Sequence, residues 1–527
     1  MRKDSCFFIS SQQHQFAIPD LVQSLLQAPN LRPTTRQIHF TMLLRPYFDD
    51  ILYRFLYSRW SLTKWGTNEI QWIGLKLLQP HEAYWDREAF SCLSNLRLLI
   101  ISGDLNLRRG FKSFPQALKV LQWDKYNLDA LPHGVPLDKL VHFRMQHSKI
   151  KQLCKETQFM GNLKFLGLSH CIDLSKLPNF NGIPNLERLV LEGCKSLVEI
   201  HHSLGQHKKL MIVNLKHCTS LKALPRKLEM NSLVTFILSG CSKIRKLPEF
   251  GETMESLSTL DLEETFIVRL PESLAYLTGL TTLNLRNCKN LVCLPNVIQN
   301  LRSIKIINLS GCSKCEKLSE NWSENKAMEE LDVSGTAIKE VPSSIFLLEN
   351  LKCLSFHGCK GTSPRQAGNF PIPFGWKHKL NNPSISTMLM LPSSSPNLPL
   401  LKQLDLSYCN LRDESLPKDL NNLSSLEILD LRGNNFVNLP TTFISNLSKL
   451  EVSPQSLQDL AWDSRPQFAL LELYGSHVFA SNLPKSIMKG LLLMYEVLAW
   501  GLKIVMAEEV PDWAICPVLI IPDEVED

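Results

Sequence analysis

The chain lacks any block of five or six basic residues, and its net charge of +6 is spread over 527 positions. Nothing in it is suited to tracking a phosphate backbone, so nucleic acid is not an implied partner. It also lacks an uninterrupted apolar span. The most apolar stretch, GLLLMYEVLAWGLKIVM at 490–506, is broken by Glu496 and Lys503, each costly in hydrocarbon, so no membrane partner is expected. The opening MRKDSCFFISSQQHQ holds too few successive apolar residues for a secretory signal. Without export, the fifteen cysteines read as free thiols in a reducing compartment. The expected location is cytoplasmic, with the nucleus as the other candidate. Enzyme signatures are missing as well: there is no GxxxxGK[ST], GxSxG, HExxH or GxGxxG after a strand. Carboxylates and histidines form no spaced constellation, so the chain is expected to be no enzyme and to carry no cofactor or metal.

What the chain does have is a period. Aligned first leucines fall at Leu96, Leu118, Leu140, Leu163, Leu186, Leu210, Leu233, Leu257, Leu280, Ile304, Met328 and Leu351, then Leu401, Leu426 and Leu450, most of them 22 to 25 residues apart. Each unit reads LxxLxLxx, then Cys, Thr or Asn, then an apolar pair and often Leu-Pro, as in NLERLVLEGCKSLVEI and SLEILDLRGNNFVNLP. This is the leucine-rich-repeat pattern. Along xLxL the side chains alternate, so Leu189 and Leu191 point inward while Arg188, Val190 and Glu192 point out. One such strand cannot bury its apolar row alone, whereas stacked units can. The expected fold is an α/β leucine-rich-repeat solenoid with a curved parallel β-sheet on the concave side and irregular or short helical turns on the convex side. Each inward leucine contributes about 1.5 to 3 kcal/mol of burial.

The slot after the strand holds Cys171, Cys194, Cys218, Cys241, Cys288, Cys312, Cys359 and Cys409, but Thr265, Thr336 and Asn434 in sister repeats. A position open to Cys, Thr and Asn asks for a small inward side chain that hydrogen-bonds the turning backbone, and threonine has no redox chemistry. Cys312-x-x-Cys315 has zinc spacing, but no second pair accompanies it and Cys315 stands where other repeats carry Ile244 or Leu291. The run HHSLGQH, His201 to His207, falls in the return of its repeat and is expected at the surface.

Four boundaries follow. Residues 1–65 carry no signature and stay unassigned. Residues 66–95 contain NEIQWIGLKL, an alternating strand expected to cap the array's first edge with Trp85 and Phe90 beneath it. Residues 96–452 are an array of about 14 repeats. Within it, 361–400 holds seven prolines and six serines and marks an insertion, a break in the array that has room for one degenerate repeat. Residues 453–527 form a shortened region after the repeats.

Residues 66 to about 452 resemble the repeat region of plant intracellular disease-resistance receptors of the TIR, NB-ARC, LRR type. The resemblance is carried by WDREAFSCLSNLRLLIIS, LKVLQWDKYNLDALP, IPNLERLVLEGCKSLVEIH and DVSGTAIKEVPSSI, in order. The tail's LKIVMAEEVPDW resembles a phrase of the β-sandwich that follows the repeats in that family, with Met506 and Ala507 where a Pro-Gly pair is usual. Neither a TIR nor an NB-ARC domain is found in 1–65, so the resemblance implies only the sensing part of such a receptor, or a receptor-gene remnant. It implies a protein partner: a pathogen effector, a host protein under guard, or a nucleotide-binding receptor domain in trans. A general intracellular signalling scaffold is the alternative. The extracellular type, with LxGxIP repeats and paired-cysteine caps, does not match.

Outward strand positions are those the fold leaves free to vary. Phe165, Val190, Ile212 and Ile237 form an expected apolar strip for partner binding. Asp261, Glu263, Glu330 and Asp332 follow as an acidic band, with His142 and Arg144 at the other end. Replacing both Ile212 and Ile237 with Glu is expected to abolish binding without loss of stability.

Overall fold

The computed structural model describes residues 39–40, 71–76, 81–83, 93–107, 114–131, 135–153, 159–359, 388–392, 396–412, 415–416 and 423–435. The chain divides into two units, Met1–Trp123 with Pro132–Leu140, and Asp124–Leu131 with Val141–Asp527. In the first, strands His39–Phe40, Trp72–Lys76, Leu98–Ser102 and Val120–Trp123 pair in parallel in that order. His81–Ala83 pairs with Leu105–Leu107 in a second small sheet. The strand read from NEIQWIGLKL is thus interior to this sheet, because His39–Phe40, inside the unassigned segment, pairs on its far side. Trp85 and Phe90, and residues 453–527, lie outside the described residues.

The second unit carries twelve three-residue strands in one parallel sheet, from His142–Arg144 to Ile428–Asp430. Each begins two residues after the first leucine of its repeat. The spacing of the leucines dictates the register: Arg188 pairs with Ile212, Ile212 with Thr235, and Thr235 with Thr259. Period-2 alternation sends the middle residue of each strand inward. Leu166, Leu189, Val213, Leu260, Leu283 and Ile307 are all fully buried, while their strand neighbours Arg188 and Val190 are half-buried. The core is therefore a continuous column of leucine, one layer per repeat, as nearest-neighbour stacking requires.

A cysteine in the slot closes its layer onto the one before. Cys194 Sγ donates to Leu168 O at 3.1 Å, Cys218 to Leu191 O at 3.1 Å, Cys241 to Leu215 O at 3.1 Å, and Cys312 to Leu285 O at 3.1 Å. Thr265 and Thr336 turn instead to the carbonyls of Leu262 and Val333 in their own repeats, both at 2.8 Å. Asn434 reaches both the earlier and its own layer through Leu406 O and Leu431 O. Cys315 is buried and free, like Cys312. No group of three or more metal-ligating side chains occurs among the described residues.

On the return path, several Leu-Pro or Val-Pro phrases open a single 3-10 turn: Glu272–Tyr276 after Pro271, Asn296–Asn300 after Pro295, and Ser343–Leu347 after Pro342. Proline fixes φ for the entry, and its missing N–H is not needed there. HHSLGQH does the same without proline: His201 Nδ1 accepts from Ser203 N to cap the turn His202–Gln206. His202 and Gln206 are exposed, but the expectation of a surface run fails at Ser203, Leu204 and Gly205 and at His207. That residue is buried in a position usually given to leucine, and its Nε2 meets Ile183 O at 2.8 Å.

The array does not break at the insertion. Cys353–Ser355 pairs directly with Gln403–Asp405, leaving no room for a hidden strand. Residues 388–392 already rejoin the repeat, since Met390 bridges to Glu340. In the sequence, the added residues fall between the Cys359 slot and the bridge at Met390.

Candidate functional site

The outward face of the second unit's sheet presents three rows of side chains. The first runs His142, Phe165, Arg188, Ile212, Thr235, Thr259, Thr282, Ile306, Glu330. The second runs Arg144, Gly167, Val190, Asn214, Ile237, Asp261, Asn284, Asn308, Asp332 through the same pairings. A third, one step further along, includes Glu192, Lys216, Glu263 and Arg286.

The four apolar residues expected as a strip fall in two different rows. Phe165 and Ile212 share the first row but are separated by Arg188. Val190 and Ile237 share the second but are separated by Asn214. No two of them are register partners, and each is half-buried. The geometry is a checkerboard in which every apolar side chain touches a polar one, a pattern that the expected strip overlooked.

The acidic residues are also divided in role. Asp261 and Asp332 sit in the second row, where a short side-chain oxygen accepts from the backbone N–H two residues on. Asp261 Oδ1 takes Glu263 N at 3.2 Å and Asp332 Oδ1 takes Ser334 N at 2.9 Å. Asn214, Asn284, Asn308, Asp405 and Asp430 do the same. This ladder of Asx turns bends the chain out of the strand; the recurring Asp or Asn after xLx was its signal in the sequence. Glu330 is exposed, whereas Glu263 lies 3.8 Å from Arg286.

At the other end, His142 stacks on Phe165 with centroids 4.3 Å apart and planes 5° from parallel. The Arg188 guanidinium lies over the same phenyl ring, 5.7 Å from its centre. Burial, and then the Arg144 and Arg188 charges, hold the His142 imidazole down at about 4, so it is neutral at pH 7. Arg144 lies 3.7 Å from Asp124. A flat aromatic layer between cations is suited to holding an aromatic or carboxylate side chain of another protein.

The leucine rich repeat family model matches residues 400–423 and 425–450. The chain is 35% identical to the TMV resistance protein N of Nicotiana glutinosa over 338 residues, 64% of this chain and 27% of that protein. It is 34% identical to the disease resistance-like protein DSC1 of Arabidopsis thaliana over 419 residues, 75% of this chain and 32% of that protein. It spans about a third or less of the length of these relatives. Among solved structures, a Leptospira interrogans LRR protein aligns at 19% identity over 76% of this chain and 96% of that one, with a TM-score of 0.47. The ladder of parallel strands itself, rather than that likeness, establishes the fold. The chain is a leucine-rich-repeat protein, and its repeats are homologous to those of plant disease resistance proteins of the TIR, NB-ARC, LRR type.

Proposed function

We propose that the protein recognises a pathogen effector or a host protein through the outward strand face, as the sensing part of a plant immune receptor. The observation that carries this reading is a face whose side chains the fold does not require. Its first row passes from an aromatic and cationic cluster through isoleucine and threonine to Glu330, which is the chemistry of a protein interface. Homology over the repeats supplies the immune context, and the relatives' names concern disease resistance.

The test uses two substitutions on the face. Ile212 pairs with Arg188, and Ile237 pairs with Asp261. Ile237→Glu would therefore set two like charges side by side, at a cost to stability. Ile212→Glu with Ile237→Lys places each new charge beside its opposite. The expected outcome is loss of the partner co-purified from infected leaf tissue, at an unchanged melting temperature. Retention of that partner by the double variant removes this part of the face from recognition.

A further inference from the structure

The two edges of the sheet treat cations differently. On the edge leading into the strands, lysines face glutamates of the neighbouring repeat. Lys164 is 2.8 Å from Glu187, Lys305 and Lys352 hold Glu329 at 3.1 and 2.5 Å, and Lys402 is 2.8 Å from Glu427. On the edge leaving the strands, beyond the thiol slot, Lys151 pairs with Asp129 at 3.8 Å, but a group of cations further along lacks such partners. Lys222 and Arg226 in one repeat, Lys243, Arg245 and Lys246 in the next, and Arg269 in the third are exposed. Among the described residues, none of their charged groups takes part in an ion pair or side-chain hydrogen bond.

The backbone holds these residues side by side. Lys227–Leu228 pairs in parallel with Glu249–Phe250, and Phe250 N donates to Ser273 Oγ at 2.9 Å in the repeat after. Two nearby carboxylates are engaged, Glu229 by Lys227 at 2.7 Å and Glu249 by the Ser273 hydroxyl at 2.5 Å. Strands about 4.8 Å apart bring like charges into mutual repulsion. The leading edge shows that this fold can neutralise its cations, so the unpaired cluster is a cost that an anionic partner would remove.

Short apolar side chains flank the cations. Val198, 45% exposed, lies beside Lys222, while Val268 and Val292, 42 and 40% exposed, lie beside one another, Val268 next to Arg269 in the chain. Lys222 N donates to Val198 O at 2.8 Å, and Val292 N to Val268 O at 3.2 Å. A valine is much shorter than a lysine. A flat anionic bilayer or a duplex resting on the ammonium groups would stand clear of the valines and use the cations alone. An extended polypeptide fits between the charged heads, alternate side chains reaching opposite sides. We propose that this trailing edge docks an extended segment of a partner protein in which acidic residues alternate with apolar ones.

The test is fluorescence anisotropy of the full chain with a labelled peptide alternating Glu and Val. Binding is expected to weaken as salt rises. The variant Lys243→Glu, Arg245→Glu, Lys246→Glu is expected to bind at least about tenfold more weakly at low salt while melting at the same temperature. Ile212→Glu with Ile237→Lys is expected to leave the peptide's affinity unchanged, so failure here and failure of outward-face recognition are distinguishable. Equal affinity for the triple variant, or tighter binding of phosphatidylserine vesicles or duplex DNA than of the peptide, overturns the proposal.

Discussion

At the scale of single residues, the slot thiols are structural donors. Burial pushes Cys171 and Cys359 up to about 11 and Cys315 and Cys409 up to about 12, far from the thiolate range that reacts. Native alkylation followed by peptide mass spectrometry should label Cys293 and Cys353, which are part-exposed, and spare the slot. Cys241→Ala should cost about 1 kcal/mol in denaturant titration from the lost bond to Leu215 O, and Cys241→Thr less, since Thr265 already satisfies a sister slot. The sequence revealed the slot through its tolerance of Cys, Thr and Asn. It could not reveal which carbonyl each thiol meets, because that depends on the stagger between layers. His142 adds a pH dependence. Its folded imidazole stays neutral down to about 4, whereas the unfolded ring takes a proton near 6.5. The stability it contributes is complete above about pH 6.5 and is lost as pH falls toward 4. His142→Phe keeps the stack on Phe165, so its denaturation midpoint should fall less than that of the wild type between pH 7 and 5.

At the scale of the repeat, the inward leucine and the Asx turn do different work. Leu238 and Leu285 are fully buried, and an aspartate at either place would strand a charge in the core at about 3 to 5 kcal/mol. Hydrogen exchange after Leu238→Asp should rise in that repeat and its two neighbours, with distant repeats still protected, because stacking acts between adjacent layers. Asp332→Asn should leave stability unchanged, since Asn284 and Asn308 accept the same bond in their repeats. Asp332→Ala should lose about 1 kcal/mol. Strand, slot and return were all legible in the spacing of leucine, cysteine and Leu-Pro. The expected apolar strip overlooked an offset that was there to read: Phe165 and Ile212 follow the first leucine of their repeat by two residues and Val190 and Ile237 by four, which puts them in two rows. His207 was misjudged for a different reason: a polar residue in a leucine position looks like surface until its partner, Ile183 O, is seen.

At the scale of the molecule, the insertion is a guest of one repeat. From slot to bridge, Cys312 to Lys317 spans 5 residues and Cys359 to Met390 spans 31, an excess of 26. Deleting residues 360–385 should leave the circular dichroism spectrum and melting temperature nearly unchanged, since Cys353–Ser355 and Gln403–Asp405 pair without that segment. The same economy holds along the described rungs of the second unit. A slot thiol reaches one layer back and a strand pairs with one neighbour on each side, so an outward side chain meets only its own rung and the two beside it, as Phe165 meets His142 and Arg188. Mutation can therefore rewrite the outward face a few rungs at a time, without renegotiating the frame that carries it. A lineage pressed by changing pathogens could re-tool such a protein by small independent edits where a globular binding site would demand several at once.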